Sequence, residues 1–578
     1  MSEFLLFLLA FLLILPFPLI PLLIHKAFTI PGVPFDISHQ KNVMMMASLY
    51  AAVLALAIWR VDIAQIGAAF VWAYWHSYEL VLVAFCAFIF QQPFRQSRAC
   101  SVIREGFARI SPDPRIQAIL IAWFWGSGVE SIMGMATTNG LSALMLCGLG
   151  FPPMGAIMLA LMGTVPASAF CSVGTPILYG IKHGMEEPYF VTQLAAMGLD
   201  LNGYLRLVTA QTGIIHGIIG IFNPLFMVLT LTRFFGRHNS WKEGLEVAPF
   251  AIFSGLVFCV PFALSAIFIG PEFASLIGAL VGAALIISAL KIGIFVPKEK
   301  WELPPQAEWR HDWAPTKTKF KPEALAHISP WIAWSPFILL AVLLILTRMP
   351  VVADFLASIT FSWPAIFGSP TTARSEPFFL PVTWILVAMI IFATLIFKLN
   401  GAQIRAFSMP ALIPTASMLL KAPNSILMMA IFMTSAINHS GFPSMSRILA
   451  EATAWLPFSQ IWYTFFTPWI AALASTLGTN NVFSNLFCAP VVFNMEQTLH
   501  LPPGFLMALQ VAGAGAGNMI ALRYITSTVT FMGMLAWEGP VGRRMLLPTL
   551  LYVTLLGIIG IIGVTCFNFS AFVWKYLF

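Results

Sequence analysis

Two stretches of this chain, residues 131–181 and 452–495, contain no Asp, Glu, Lys, Arg or His. One membrane crossing needs about 20 apolar residues, so neither run can be a single span. Each run is interrupted by Gly, Pro, Asn and Thr, as in GMATTNG (134–140) and LGTNN (477–481). A helix broken at membrane depth is tolerated only where protein or a water-filled cavity satisfies the freed backbone groups. The runs therefore predict an all-α polytopic membrane protein whose interior holds broken helices and re-entrant hairpins, with roughly 12–16 membrane segments in all. Only 9% of its residues are charged and 59% are hydrophobic, whereas about a quarter of a soluble domain is charged.

Further charge-free runs at 42–59, 80–94, 207–232, 247–271, 328–347, 377–397 and 545–574 reach or approach membrane-crossing length. The first segment, 4–24, lacks a basic lead-in and a small-residue cleavage site, and reads as a retained anchor. The two long runs also echo each other. GFPPMGAIMLALMG (150–163) lines up with HLPPGFLMALQVAG (500–513), and ISPDPRIQAILIAWFWGSG (110–128) with WLPFSQIWYTFFTPWIAAL (455–473). Arg95, Arg98, Arg104, Arg109 and Arg115 mark the loop 95–115 as cytoplasmic by the positive-inside bias, which puts the N-terminus outside. Counting onward, Arg233, Arg237 and Lys242 fall inside, and Glu186, Glu187 and Asp200 fall outside. The loop 440–458 also falls outside, so the two echoing segments are expected to have inverted topology. The expected organisation is an anchor helix and loop (1–41), a first inverted repeat (42–235), connecting helices (236–376), a second repeat (377–544) and a C-terminal helix (545–578). The polar stretch 297–327 reads as a cytoplasmic linker between the halves.

The net charge of +7 comes from basic residues in short inter-helix loops, where they are topology signals, so nucleic acid is not an expected partner. Seven cysteines without CxxC or Cys/His spacing suggest neither a disulfide framework nor a metal site, and no cofactor is expected. No HExxH, GxSxG or P-loop motif marks an enzyme or a primary pump.

Seven strings occur in an order that resembles the lactate permease family: ISPDPRIQAILIAWFWGSGVES, GLGFPP, VPASAFCSVGTPI, WSPFILLAVLLILTR, INHSG, VFSNLF and GNMI. That resemblance implies a transporter of the bacterial cell (inner) membrane that takes up lactate, glycolate and related 2-hydroxy monocarboxylates with protons. The departures fall at the breaks. Where the family reads like EGAAGFGAP, this chain has ESIMGMATT (130–138), and the family's acidic, serine-rich run is STLGTNNVFSN (475–485) here. A GKMISPQS-like string is replaced by GNMIALRY (517–524), so that Asn518 stands where a lysine is customary and Arg523 is added.

A small carboxylate bound inside a membrane needs half-helix N-termini, hydroxyl or amide donors, and preferably one fixed positive charge. Thr137, Thr138 and Asn139 at the first break, and Thr479, Asn480, Asn481 and Asn485 at the second, are candidate contacts, with Asn518 beside them. Helix capping and interhelical hydrogen bonding would use the same residues. Arg523 sits in a segment apolar enough for mid-bilayer, where an arginine costs roughly 3 kcal/mol. A substrate carboxylate held by its planar fork would offset that cost; pairing with an acid such as Glu130, or snorkelling to water, would do so as well. Glu130 reads as the one acid of the first half buried near a break, and as a carrier of the coupled proton. His216 and His439 are further intramembrane titratable candidates, for which a bond to a backbone carbonyl competes with a relay role. The expected function is proton-coupled secondary transport of a small organic anion by alternating access, with protons and membrane lipids as the other partners. A different small anion on the same scaffold, an uncoupled channel, or a membrane-embedded enzyme acting on lipids are the alternatives.

Overall fold

The computed structural model describes the whole chain except residues 1–2, 15–36, 98, 135–136, 298–299, 315–328, 397–399, 403–404, 406–425, 429, 434, 455–456, 479, 535 and 566–578. Apolar side chains without neighbouring water leave the backbone no partner but itself, and the described chain is accordingly helical almost throughout. Seven helices among the described residues are long and apolar enough to cross a membrane: Ile63–Ala87, Leu201–Phe235, Ala248–Phe268, Ala274–Lys291, Pro330–Thr347, Phe505–Phe531 and Glu538–Thr565. The pair Pro153–Gly163 and Val165–Gly184, bent by 51°, makes an eighth if counted as one broken span. The protein is a multi-pass membrane protein. The charge-free runs leave out two of these spans: Phe505–Phe531, which carries Arg523, and Ala274–Lys291, whose alanines and glycines let it lie closely along Ala248–Phe268. Gly278 and Gly282 mark that contact, since a Cβ on either would come within 3.1 Å of the Phe258 backbone. The described strands, Phe361–Trp363 and Ala373–Ser375, form one short antiparallel hairpin.

Both long runs are broken where expected, and the longer runs of helices that carry them, 114–184 and 459–531, follow one order of elements. The first begins with a continuous helix from Pro114 to Ile132, π-helical over Ile119–Trp125. After a break come Thr137–Gly148, a turn, Pro153–Gly163, a second break and the pieces up to Gly184. The second run has Ser459–Gly478, a break, Asn481–Thr498, a turn, Phe505–Gly517, a break over 518–521 and Leu522–Phe531. The same close approach recurs in each. In the alignment Gly163 stands opposite Gly513, and Ala122 opposite Thr467. A Cβ on Gly163 would lie 2.1 Å from the Ala122 carbonyl oxygen, and one on Gly513 would lie 2.4 Å from Pro468 Cα. Contacts between the runs are reciprocal as well. Leu522–Phe531 packs on Thr137–Gly148, while the stretch from Pro176 to Gly184 packs on Asn481–Thr498. Gly180 and Gly184, one turn apart, admit the latter contact, because a Cβ on each would come within 3.1 Å of a backbone carbonyl, of Val482 and Leu486 respectively.

The described part of the 297–327 linker is not a loose tether. Trp301 and Trp313 are buried; Trp301 Nε1 donates to Glu243 at 2.6 Å, and the Trp313 carbonyl accepts from the Met154 amide at 3.0 Å. Arg544 pairs with Asp312, which fastens the same segment to the last helix. Arg115 also differs from its reading as a loop charge. It is fully buried, chelated by Asp113 and bonded to Glu246 and the Glu243 carbonyl, and so it locks the start of its helix.

Candidate functional site

The breaks exist because their residues cannot continue a helix. Gly134 takes φ +59°, and the second break of the first run passes through three consecutive left-handed residues, Ser172, Val173 and Gly174. For a β-branched valine this conformation is a true outlier, and strain of about 1–2 kcal/mol per residue persists only where the surroundings fix it. Here Ser172 Oγ donates to the Met133 carbonyl at 2.7 Å, and Thr175 Oγ1 to the Ser172 carbonyl at 2.5 Å. A Cβ on Gly134 would lie 2.3 Å from Ser172 Oγ, so the strained turn is seated directly on the first break.

Beside that turn the second run delivers its last half-helix. Tyr524 is buried and donates to Glu130 Oε1 at 3.1 Å, joining residues 394 positions apart. Glu130 is fully buried, and its Oε2 has no hydrogen-bond partner among the described residues. Thr138 lies beside the same carboxylate, its hydroxyl otherwise without a partner. Arg523, half-buried in the first turn of Leu522–Phe531, sits near Cys171 and Tyr524. It forms no ion pair with any described carboxylate, Glu130 included, and its buried Nη1 has no hydrogen-bond partner among the described residues. Asn518, in the preceding break, is 4% exposed and leaves both amide atoms unpartnered. Asn139 accepts from Thr164 at 3.1 Å and keeps a free Nδ2. Buried polar atoms are paired in about nine cases of ten, so a concentration of unpartnered donors on broken-helix tips marks a place built for a polar guest.

The second break is used differently. Asn480 caps its helix, accepting from the Phe483 amide at 2.9 Å. Asn481 donates to the Ser168 carbonyl at 2.5 Å and Asn485 to the Pro176 carbonyl at 3.0 Å, so both satisfy backbone groups freed in the first run. Each retains an unpartnered Oδ1. Thr479 lies outside the described residues, as does the side chain of Thr137. His216 is buried, and its partner is the Tyr552 hydroxyl at 3.0 Å rather than a backbone carbonyl. His439 stands on a loop with its side chain exposed, 3.1 Å from Asp62. A second buried acid of the first half, Glu79, is 6% exposed and lies within the continuous Ile63–Ser97 helix rather than at a break. Tyr524 went unnoticed in the sequence, where its place next to Arg523 in the first turn of a half-helix was the available signal. A cavity of about 410 Å³ opens beside this region; Met158, Met519 and Tyr552 line it together with Arg310, Arg543 and Arg544.

The L-lactate permease family profile matches residues 37–567. The chain is 26% identical to a Haemophilus influenzae relative over 491 residues, covering 84% of this chain and 86% of that one. It is 22% identical to the L-lactate permease of Escherichia coli (strain K12), covering 88% and 89% of the two chains. Glycolate permease GlcA of the same organism is 22% identical, with 81% of each chain covered.

Proposed function

The chain belongs to the L-lactate permease family, and on that premise we propose that it carries a short 2-hydroxy monocarboxylate of the lactate or glycolate kind, together with protons, by alternating access. As a member of a family of permeases it is a transporter and not an enzyme. The observation that carries the reading is Arg523: a cation among broken-helix tips with no acid to neutralise it among the described residues. A substrate carboxylate supplies the missing charge in two parallel hydrogen bonds. Asn518, Asn139 and Thr138 are placed to meet the carboxylate or the 2-hydroxyl, and Glu130 carries the coupled proton while Tyr524 orients it. The cavity beside Met519, lined by Arg310, Arg543 and the Arg544–Asp312 pair, carries a net positive wall that draws anions toward the site from the cytoplasmic side. The two runs act as inverted repeats, and their reciprocal contacts are the surface on which one half rocks against the other. In this reading the membrane is the bacterial inner membrane and the N-terminus lies outside.

Uptake of labelled acids into proteoliposomes tests this directly. Lactate or glycolate uptake should saturate, rise with an inward proton gradient, and be competed by other short 2-hydroxy acids but not by dicarboxylates. Glu130→Gln should abolish gradient-driven accumulation while leaving measurable substrate exchange. Accumulation indifferent to both the gradient and Glu130 would point instead to an uncoupled channel.

A further inference from the structure

A second titratable network lies on the far side of the strained turn, and the transport site does not use it. On the Ile63–Ser97 helix, His76 and Glu79 are 1% and 6% exposed. Tyr179 reaches them from the π-helical segment Pro176–Ile181, a form that recurs at functional sites. Its hydroxyl lies 2.5 Å from Glu79 Oε2 and 2.8 Å from His76 Nδ1, and the His76 ring packs against the His183 ring at 4.5 Å between centroids. His183 Nδ1 then meets Glu186 at 2.8 Å. Side-chain exposure rises along this series, from 1% at His76 to 12% at His183 and 35% at Glu186, so the contacts run from the interior to the surface.

The other charged groups around the network are Lys182, 3.8 Å from Glu186 and 4.0 Å from Glu376; Arg374, 2.9 Å from Glu376; and Arg348, which faces Glu272 and Glu376. Ser375 approaches Glu79 from the hairpin strand. Burial alone would push the Glu186 carboxyl up, but His183, Lys182 and His76 outweigh it and hold it at about 2, so the outer end stays ionised at neutral pH. Glu79, Tyr179, His183, Lys182 and Arg348 share a cavity of about 40 Å³, room for a water molecule, whose wall includes Val173 and Thr175. That wall is the strained turn, and on its opposite side Ser172 is bonded to Met133, three residues after Glu130.

We propose that His183, His76, Tyr179 and Glu79 form a proton path between the surface at Glu186 and the strained turn beside Glu130. The proposal rests on the reading that Glu130 carries the coupled proton. A proton taken up by His183 passes to His76 where the two rings meet, inclined by 42° at 4.5 Å between centroids. His76 delivers it at Nδ1 to the Tyr179 hydroxyl as that hydroxyl gives its own proton to Glu79, and Glu79 releases one inward. Each group accepts one proton and gives one, and the network returns to its starting state once the remaining His76 proton moves back to Nδ1 and the Tyr179 hydroxyl turns back toward Glu79. A purely structural cluster would merely staple the Ile63–Ser97 helix to the stretch from Pro176 to Gly184 and to the hairpin.

The test uses full-length protein in liposomes carrying an internal pH dye, and compares wild type with His76→Gln, His183→Gln and Tyr179→Phe. Three quantities are read: proton entry coupled to substrate, substrate exchange at equal pH, and melting temperature. The expected result is a loss of coupled proton entry of roughly ten-fold or more, as for removal of a proton-transfer group, and a changed dependence on pH at the Glu186 face, with exchange and melting close to wild type. Variants that match wild type in coupled proton entry overturn the path. So do variants whose exchange, coupling and melting fall together, which is the behaviour of a staple. A wild type that moves substrate with no proton at all overturns the reading on which the path rests, and is told apart because it appears before any variant is made.

Discussion

At the scale of single residues, the decisive feature is a half-buried cation that no described carboxylate pairs with. Arg523 forms no ion pair with any described carboxylate, and Glu130 bonds to Tyr524 instead. An arginine paired permanently with Glu130 would have neutralised both groups and left nothing to bind substrate or proton. Tyr524→Phe removes one hydrogen bond to a carboxylate, worth about 1.5–3 kcal/mol if that group is charged. It is expected to move the pH midpoint of gradient-driven uptake while changing affinity for substrate less than Arg523→Gln does; parallel pH profiles and binding curves would check this. Arg523 was legible from the sequence, because one charge in an apolar, glycine-rich segment must be offset somehow. Its neighbours were not. Glu130 and Tyr524 meet across 394 positions, and Glu79 finds Tyr179 across 100, pairings that arise only when the broken helices are brought together.

At the scale of elements, glycine and proline set the architecture. Gly163 and Gly513 allow each Pro-Pro hairpin to press its second arm onto the preceding long helix. Overpacking costs about 1–3 kcal/mol even where the neighbours are side chains, and here the obstacles are backbone atoms. Gly163→Ala and Gly513→Ala should each lower the melting temperature of purified protein by several degrees. Gly106→Ala, at an exposed position of the Ala99–Ile110 helix with nothing within 4 Å of its Cβ, should be neutral or stabilising by up to about 1 kcal/mol. Glu496 anchors the turn of the second hairpin, accepting from Tyr204 at 2.8 Å and from the amides of Gly504 and Met507 at 3.1 and 2.9 Å. Glu496→Gln replaces one of the two accepting oxygens by an NH2 donor, which in its better orientation faces the Met507 amide alone; an unmade bond costs about 1–3 kcal/mol, and a melting curve should show the loss. The breaks and hairpins were readable because a charge-free run twice the length of a span, peppered with Gly and Pro, cannot be one rod. The docking of residues 300–314 was not, since near-balanced charges hide the two tryptophans that bury themselves.

At the scale of the whole molecule, two runs with the same order of elements exchange contacts, each covering a break in the other with its last half-helix. The asparagines of the second break bond to carbonyls of the first run, and Tyr524 of the second run bonds to Glu130 of the first. In the proposed reading, a site assembled from both halves would change whenever they move, as alternating access requires. The most direct measurement of the central claim is calorimetric binding of L-lactate and glycolate to purified wild-type protein and to Arg523→Gln at matched pH. Loss of a bidentate charge-assisted contact should weaken binding roughly 10- to 100-fold, with the melting temperature little changed. Equal affinities in the two proteins would contradict the account, because the guanidinium would then have no part in holding the anion.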